Sequence, residues 1–241
     1  MKPLYKLAES GELPNFQILD IETLEWMQKN AGIPDFKSLT FLKKIKPLAE
    51  NLFRKLAPDE NVFDIKKLSL SIHGLSHLAR VMLHTYVICQ EVNHKDYIAA
   101  MVAAAFHDVK RHTDKEDPKH GERAALWFEG KEAKEYDKNA IQTICSAMAY
   151  HNINYESIPI IELSKNQYII DILKYADAMD RFRLPKIKWW PKKNLLKLKL
   201  SDEFFDFGKY LFYRTEKLII TQAYLPVDAV ISVGKEIGII N

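Results

Sequence analysis

Cysteine is scarce in this chain: its 241 residues hold two, Cys89 and Cys145, without CxxC spacing. That argues against a cysteine-rich zinc site and a disulfide framework, and it suits a reducing compartment. Glycine is scarce as well, with 8 residues. There is no internal repeat and no low-complexity segment. No apolar run approaches the roughly 18 residues that a membrane-spanning helix needs. The opening stretch MKPLYKLAESGELP lacks the long apolar segment of an export signal. The expectation is a soluble, cytoplasmic protein with no membrane partner. Charge of one sign is also lacking. The formal net charge is +3, too small to imply a nucleic-acid partner by itself.

What is present is an ordinary globular balance, 47% hydrophobic and 28% charged, with mostly helical periodicity. Residues 1–18 read as an irregular arm broken by Pro3, Gly11 and Pro14. Asp20 is placed to cap a helix, IETLEWMQKN, closed by Gly32 and Pro34. Residues 38–56 read as helical, with Pro47 kinking or splitting the run. Residues 1–60 carry mixed charge and no chemical motif, and they read as an N-terminal helical addition. From Leu75, apolar positions recur at helical spacing through Leu78, Val81, Met82, Tyr86 and Val87. His77 sits at the start of that helix and can look into the core. His84 falls off the apolar positions and is expected at the surface.

Residues 97–110 form a central helix, followed by a polar loop over 110–119. His120-Gly121 opens a helix that Gly130 should end. Residues 134–150 are helical, and the β-branched run 158–161 is ambiguous. Residues 167–181 are helical, with Asp177 and Asp180 three apart on one face. Residues 202–224 and 227–237 are the last two helices. No composition break marks a boundary, so residues 1–241 read as one all-α domain.

The chemistry centres on YIAAMVAAAFHDVKRH. An apolar run from Tyr97 to Phe106 ends abruptly in His107-Asp108. Burying an imidazole and a carboxylate is costly unless each is satisfied. A metal ion is one solution and a hydrogen-bonded structural pair is another. The dipeptide alone does not choose between them. The wider set is His77, His107, Asp108, His120, His151 and Asp177, each at a predicted helix end or on an inward-packing helix. A lone histidine at a helix end is ordinarily a cap or a surface residue. A helical bundle can, however, bring such residues to one point.

In its order, His77, then His107-Asp108, then Asp177, the sequence resembles the HD-domain metal-dependent phosphohydrolase superfamily. HGLSHLARV is similar to the helix that carries the family's first ligand. HDVKRHTDKEDPKHGERAA is similar to the HDxx(K/R) … HG pattern of many bacterial members. The likeness spans roughly residues 73–183, and the flanks match nothing recognisable. It implies an HD-domain-like helical bundle with N- and C-terminal helical additions. Residues 68–183 would be the metal-binding core, and 184–241 a basic loop with C-terminal helices. It implies His77, His107, Asp108 and Asp177 as the primary metal site. His120 and His151 would be ligands of a second ion or would line the substrate pocket. Arg111 would face a phosphate, unless it is a solvated loop arginine. His73 and His112 would be supporting or surface residues. Asp180 would support the site or pair with Arg181 or Arg183.

Imidazole and carboxylate ligands suit Mn, Fe, Co, Ni or Zn, as one or two ions. The expected reaction is hydrolysis of a phosphate ester, a nucleotide foremost, by attack of metal-bound hydroxide on phosphorus. Asp108 and Arg111 would be catalytic, and Arg111, Lys186 and Lys188 would hold the substrate. Residues 181–201 carry eight Lys or Arg and no carboxylate, with Trp189-Trp190 among them. They could form a lid, a surface for a nucleic-acid strand, or a solvated loop whose tryptophans pack on the core. Two other readings stay open. One is a diiron-type oxygenase using the same His/Asp set, and the other is a non-catalytic nucleotide-binding regulatory module. No Gly-Tyr-Pro extension follows the HD pair, which argues against that subfamily of cyclic dinucleotide phosphodiesterases.

Overall fold

The computed structural model of the chain describes residues 2–241. Among these residues the fold is all-α: ten α-helices, short 3-10 turns between them, and no strand. The helices are α1 (Leu4–Ser10), α2 (Ile21–Ala31), α3 (Glu50–Leu56), α4 (Leu75–Glu91), α5 (Tyr97–Phe106), α6 (His120–Lys131), α7 (Lys138–Tyr150), α8 (Ile160–Asp180), α9 (Glu203–Gln222) and α10 (Pro226–Glu236). No helix among them is long and apolar enough to cross a membrane.

Helix α4 is the axis of the bundle, packed by α5, α8, α9 and α10. Every residue from His77 to Cys89 is buried. A helix with no free face must satisfy its polar side chains internally, which decides the fates of His77, Arg80 and His84. Helix α5 lies against α4, α7 and α8. Its buried alanines, Ala99, Ala100 and Ala103 to Ala105, keep it thin enough to be surrounded. Helices α6 and α7 pair on the far side of α5. Asp20 caps α2 by accepting from the Thr23 amide at 2.8 Å, and Gly32 ends it at φ 62° in the left-handed region. Asp137 caps α7 through the Ala140 amide at 2.9 Å.

Several boundaries differ from the sequence reading. The arm over residues 1–18 contains a helix, α1. Residues 38–56 are not one helix. Two 3-10 turns, Phe36–Ser38 and Thr40–Lys44, precede an extended stretch at Pro47, and only α3 is α-helical. Proline has no amide to donate and disfavours helix in the residue before it. The chain instead pairs Leu48 with Ile240 in a parallel bridge. The central helix stops at Phe106, so His107 and Asp108 occupy the turn after it. Gly130 does not end α6, which runs to Lys131. The ambiguous run at 158–161 is the start of α8, directly after Pro159. His84 is buried, not superficial, because α4 is packed on all sides.

Candidate metal centre

Five helix ends meet at one point. His107 and Asp108 follow the C-terminus of α5, and His151 follows that of α7. Asp177 and Asp180 lie in the last turn of α8. His77 and His120 lie in the first turns of α4 and α6. Three helix C-termini bring partial negative charge to this point and two N-termini bring partial positive charge, so the helix dipoles partly cancel there and the side chains set its preference.

The geometry fixes the histidine tautomers. A carbonyl oxygen only accepts, so the ring nitrogen facing one carries the proton. His107 Nδ1 donates to the Ala104 carbonyl at 2.8 Å, His151 Nδ1 to Met148 at 2.7 Å, and His120 Nδ1 to Asp117 at 2.5 Å. His77 Nδ1 donates to the Asp180 carboxylate at 2.7 Å. Burial pushes His77 and His107 down to about 4, and burial lowers His151 as well. At neutral pH His77, His107 and His151 are uncharged, with bare lone pairs on Nε2. Those nitrogens nevertheless face each other. His77 Nε2 is 3.3 Å from His107 Nε2, and His120 Nε2 is 2.9 Å from His151 Nε2. The His77–His107 pair has no proton to share.

Asp108 sits between the two pairs. Its Oδ1 lies 2.8 Å from His120 Nε2, 3.5 Å from His151 Nε2 and 3.9 Å from His107 Nε2. It is buried and accepts no hydrogen bond among the described residues. Burial opposes its charge, but the groups around it, the Arg111 guanidinium among them, outweigh that and hold its carboxyl well below the usual range. A buried, ionised carboxylate ringed by lone pairs is costly without a cation. The donor atoms form two compact trios that share Asp108: His77, His107 and Asp108, and Asp108, His120 and His151. Two ligands at about 2.1 Å from one ion stand about 3.0–3.4 Å apart at octahedral or tetrahedral angles, close to the separations seen. The residues fit one or two transition-metal ions. Asp177 stands outside both trios, at the open side of the first, 3.5 Å from His77 Nε2.

A supporting layer holds these ligands. Asp180 is gripped by Arg80 through Nε at 2.5 Å and Nη2 at 3.0 Å, while Arg80 also binds Glu216. Arg80 is three residues after His77, so one helical face carries the ligand and the anchor of its partner. Lys174 donates to the His151 and Ile153 carbonyls, fixing the turn that presents His151. Gly121 makes the α6–α7 contact fit. A Cβ there would lie 2.4 Å from the Met148 carbonyl and 3.0 Å from the His151 ring.

A cavity of about 180 Å³ opens over the trios, with Asp108, His120, His151 and Asp177 on its floor and arginines at its sides. Arg111 is held by the Thr113 and Lys115 carbonyls, its Nη1 3.5 Å from Asp108 Oδ2. Arg183 is 3% exposed. Its Nε donates to the Ile72 carbonyl at 2.7 Å, while its Nη1 is buried without a hydrogen-bond partner. Arg181 lines the mouth.

Of the residues singled out from sequence, His77, His107, Asp108, His120, His151, Asp177 and Arg111 thus converge. Lys186 lies further out, donating to the Ala8 carbonyl at 3.1 Å. Lys188 is exposed. His73 supports the site, with its Nδ1 2.8 Å from Asp114 Oδ1, and His112 is exposed. The tryptophan pair splits: Trp190 packs on Phe182 and Trp26, while Trp189 does not join that cluster. Arg80 and Asp114 escaped the sequence reading, and Arg183 entered it only as a partner for Asp180, from which its Nη1 stands 3.7 Å. The i, i+3 spacing of His77 with Arg80, and of Asp180 with Arg183, was the available signal. Comparison with protein-family models, with curated proteins and with solved structures found no match to this chain.

Proposed function

We propose that this protein is a metal-dependent phosphoric ester hydrolase of the HD type, acting on a nucleotide or another phosphate ester. The observation that carries the reading is the orphaned Asp108 oxygen among imidazole nitrogens whose protons all point outward. Divalent Mn, Fe, Co, Ni or Zn suits that donor set. Such an ion supplies an acidified water and a Lewis-acidic contact for a phosphoryl oxygen.

The protein's own groups do the rest. His77, His107, Asp108, His120 and His151 hold the ions, with Asp177 beside the open face of the first trio. Arg111 and Arg183 present fixed guanidinium groups to the cavity and stabilise charge gathering on phosphoryl oxygens. Arg183 Nη1 stands 3.8 Å from Asp177 Oδ1 and 3.7 Å from Asp180 Oδ2 and makes no hydrogen bond to either, which leaves it hydrogen-bonding capacity beside the cavity. Lys186 and Lys188 do not line that cavity. The flanking arginines suit an anionic substrate such as a phosphate ester; iron content and oxygen uptake separate this reading from the diiron oxygenase alternative. A regulatory module without catalysis would keep the ligands and the arginines yet leave phosphate esters intact.

The test is elemental analysis of protein purified without added metal, paired with Asp108→Ala and a phosphoester panel. One or two equivalents of a transition metal are expected, lost in the variant together with phosphate release. Absence of metal, with no uptake of Mn, Fe, Co, Ni or Zn, would sink the proposal. Oxygen uptake with iron bound would select the oxygenase, and a metal-loaded protein inert across the panel would select the regulatory module.

A further inference from the structure

The metal cavity does not end at its arginine rim. A second, larger groove of about 710 Å³ continues from it, and the two share His73, Arg111, Arg181 and Leu184 as a common wall. This volume lies within the range of clefts that enclose small organic ligands. One bank is the segment that follows α1, with Leu13 and Gln17. The other is the 3-10 turn Ile187–Trp189 and the residues before it, with Leu184, Lys186 and Trp189. Both banks lie outside the span of the chain that carries the metal ligands.

The groove is built rather than incidental. Lys186 crosses it, donating to the Ala8 carbonyl at 3.1 Å while its ammonium stands 5.5 Å from the Trp189 ring centroid. That contact ties the end of α1 to the turn. Arg181 Nε donates to the Trp189 carbonyl at 3.0 Å and fixes the turn from below. The indole of Trp190 is committed elsewhere, donating to the Leu184 carbonyl and packing on Trp26. Trp189 alone of the pair lines the groove. The groove is largely apolar, with one indole ring, and has Lys115, Arg181 and Lys186 and the carboxylates Asp114 and Glu116 along it. Opening onto an arginine-rimmed cavity, it matches a phosphate ester whose organic part is planar and aromatic.

We infer that this groove is the leaving-group site, in which a nucleobase stacks on Trp189 while its phosphate lies at Arg111 and Arg183. The inference rests on the phosphohydrolase reading and adds the residues that choose the substrate. Residues 8–17, on this view, form one bank of the specificity pocket.

The test is equilibrium binding to the metal-loaded full chain by calorimetry, with inorganic phosphate, ribose 5-phosphate and adenosine 5′-monophosphate as probes. Wild type should bind the nucleotide about tenfold or more tightly than ribose 5-phosphate, the gain that stacking on an aromatic ring gives. Trp189→Ala should bring that ratio near one, with metal content and phosphate affinity unchanged. Trp189→Phe should restore most of it. Equal affinities for the two sugar phosphates in wild type, or a nucleotide preference that survives in Trp189→Ala, would overturn the inference while leaving the hydrolase reading intact. No phosphate binding by the metal-loaded protein would remove both.

Discussion

Gly121→Ala is the most informative single change, because the structure says where its added methyl must go. The Cβ would stand 2.4 Å from the Met148 carbonyl oxygen. Ordinary carbon–oxygen contacts begin near about 3.3 Å, so α6 must retreat from α7 by roughly 0.9 Å. The obstacle is backbone, so no rotamer change relieves it. That carbonyl is also the acceptor that orients His151 Nδ1, at 2.7 Å. Overpacking of this kind costs about 1–3 kcal/mol, and each kcal/mol lowers Tm by about 2–4 °C in a chain of this size. The local effect is sharper. His120 lies on one of the separated helices and His151 immediately follows the other, so the Asp108–His120–His151 trio opens while His77 and His107 stay put. Loss of a ligand's supporting contact lowers metal affinity about 10–100-fold. Metal titration of the apo protein should therefore show one ion retained and the other weakened. Gly130→Ala, in the same helix but with nothing within 4 Å of its Cβ, should leave metal binding alone and match or raise stability. Two ions bound with wild-type affinity in Gly121→Ala would refute the assignment of the second trio.

Other consequences follow from the buried polar groups. His84 has both ring nitrogens buried without partners, and burial pushes it down to about 3. Its unfolded form protonates near 6.5, so the unfolded state binds more protons below that pH and wild type loses about 1.4 kcal/mol per pH unit as pH falls from 6.5 toward 3. His84→Leu should escape that loss. Urea unfolding from pH 7.5 to 5.0 should show its advantage widening as pH falls, and parallel profiles would contradict the argument. Asp180→Asn should cost about 3 kcal/mol in unfolding free energy, since it strips the buried Arg80 guanidinium of its fork partner, and should weaken metal binding through His77. Wild-type stability with wild-type metal content would argue against that support. Arg183→Gln should retain metal yet weaken inorganic phosphate binding about tenfold or more, the scale of a charge-assisted hydrogen bond; unchanged phosphate affinity in calorimetry would remove Arg183 from the anion site.

Much of this architecture was legible in the chain because local rules were obeyed. Asp20 and Gly32 bracket α2 by capping and left-handed termination, and the apolar run at 97–106 is the buried α5. What failed did so where tertiary packing overrode a local rule. His84 looked superficial because amphipathic reasoning assumes a wet face, and α4 has none over that stretch. Pro47 looked like a kink, but its consequence depends on Ile240, which is remote in sequence and offers Leu48 a bridge.

The candidate site divides along the same line. Its residue types were readable, since imidazole and carboxylate at the end of an apolar run demand an explanation. Their pairing was not, because His77 with His107 and His120 with His151 are matched only by the crossing of four helices. Arg183 was hidden among the basic residues of 181–201, and burial alone separates it from them. The segment of 1–60 that seemed merely to cover the core is also tied to the site. The Gln17 amide donates to Asp114 Oδ2 at 2.6 Å, and Asp114 Oδ1 faces His73 Nδ1 at the wall shared by both cavities. A residue without any motif thus reaches the centre through a single backbone hydrogen bond. Contacts of that kind have no sequence signature, since any residue but proline supplies the amide.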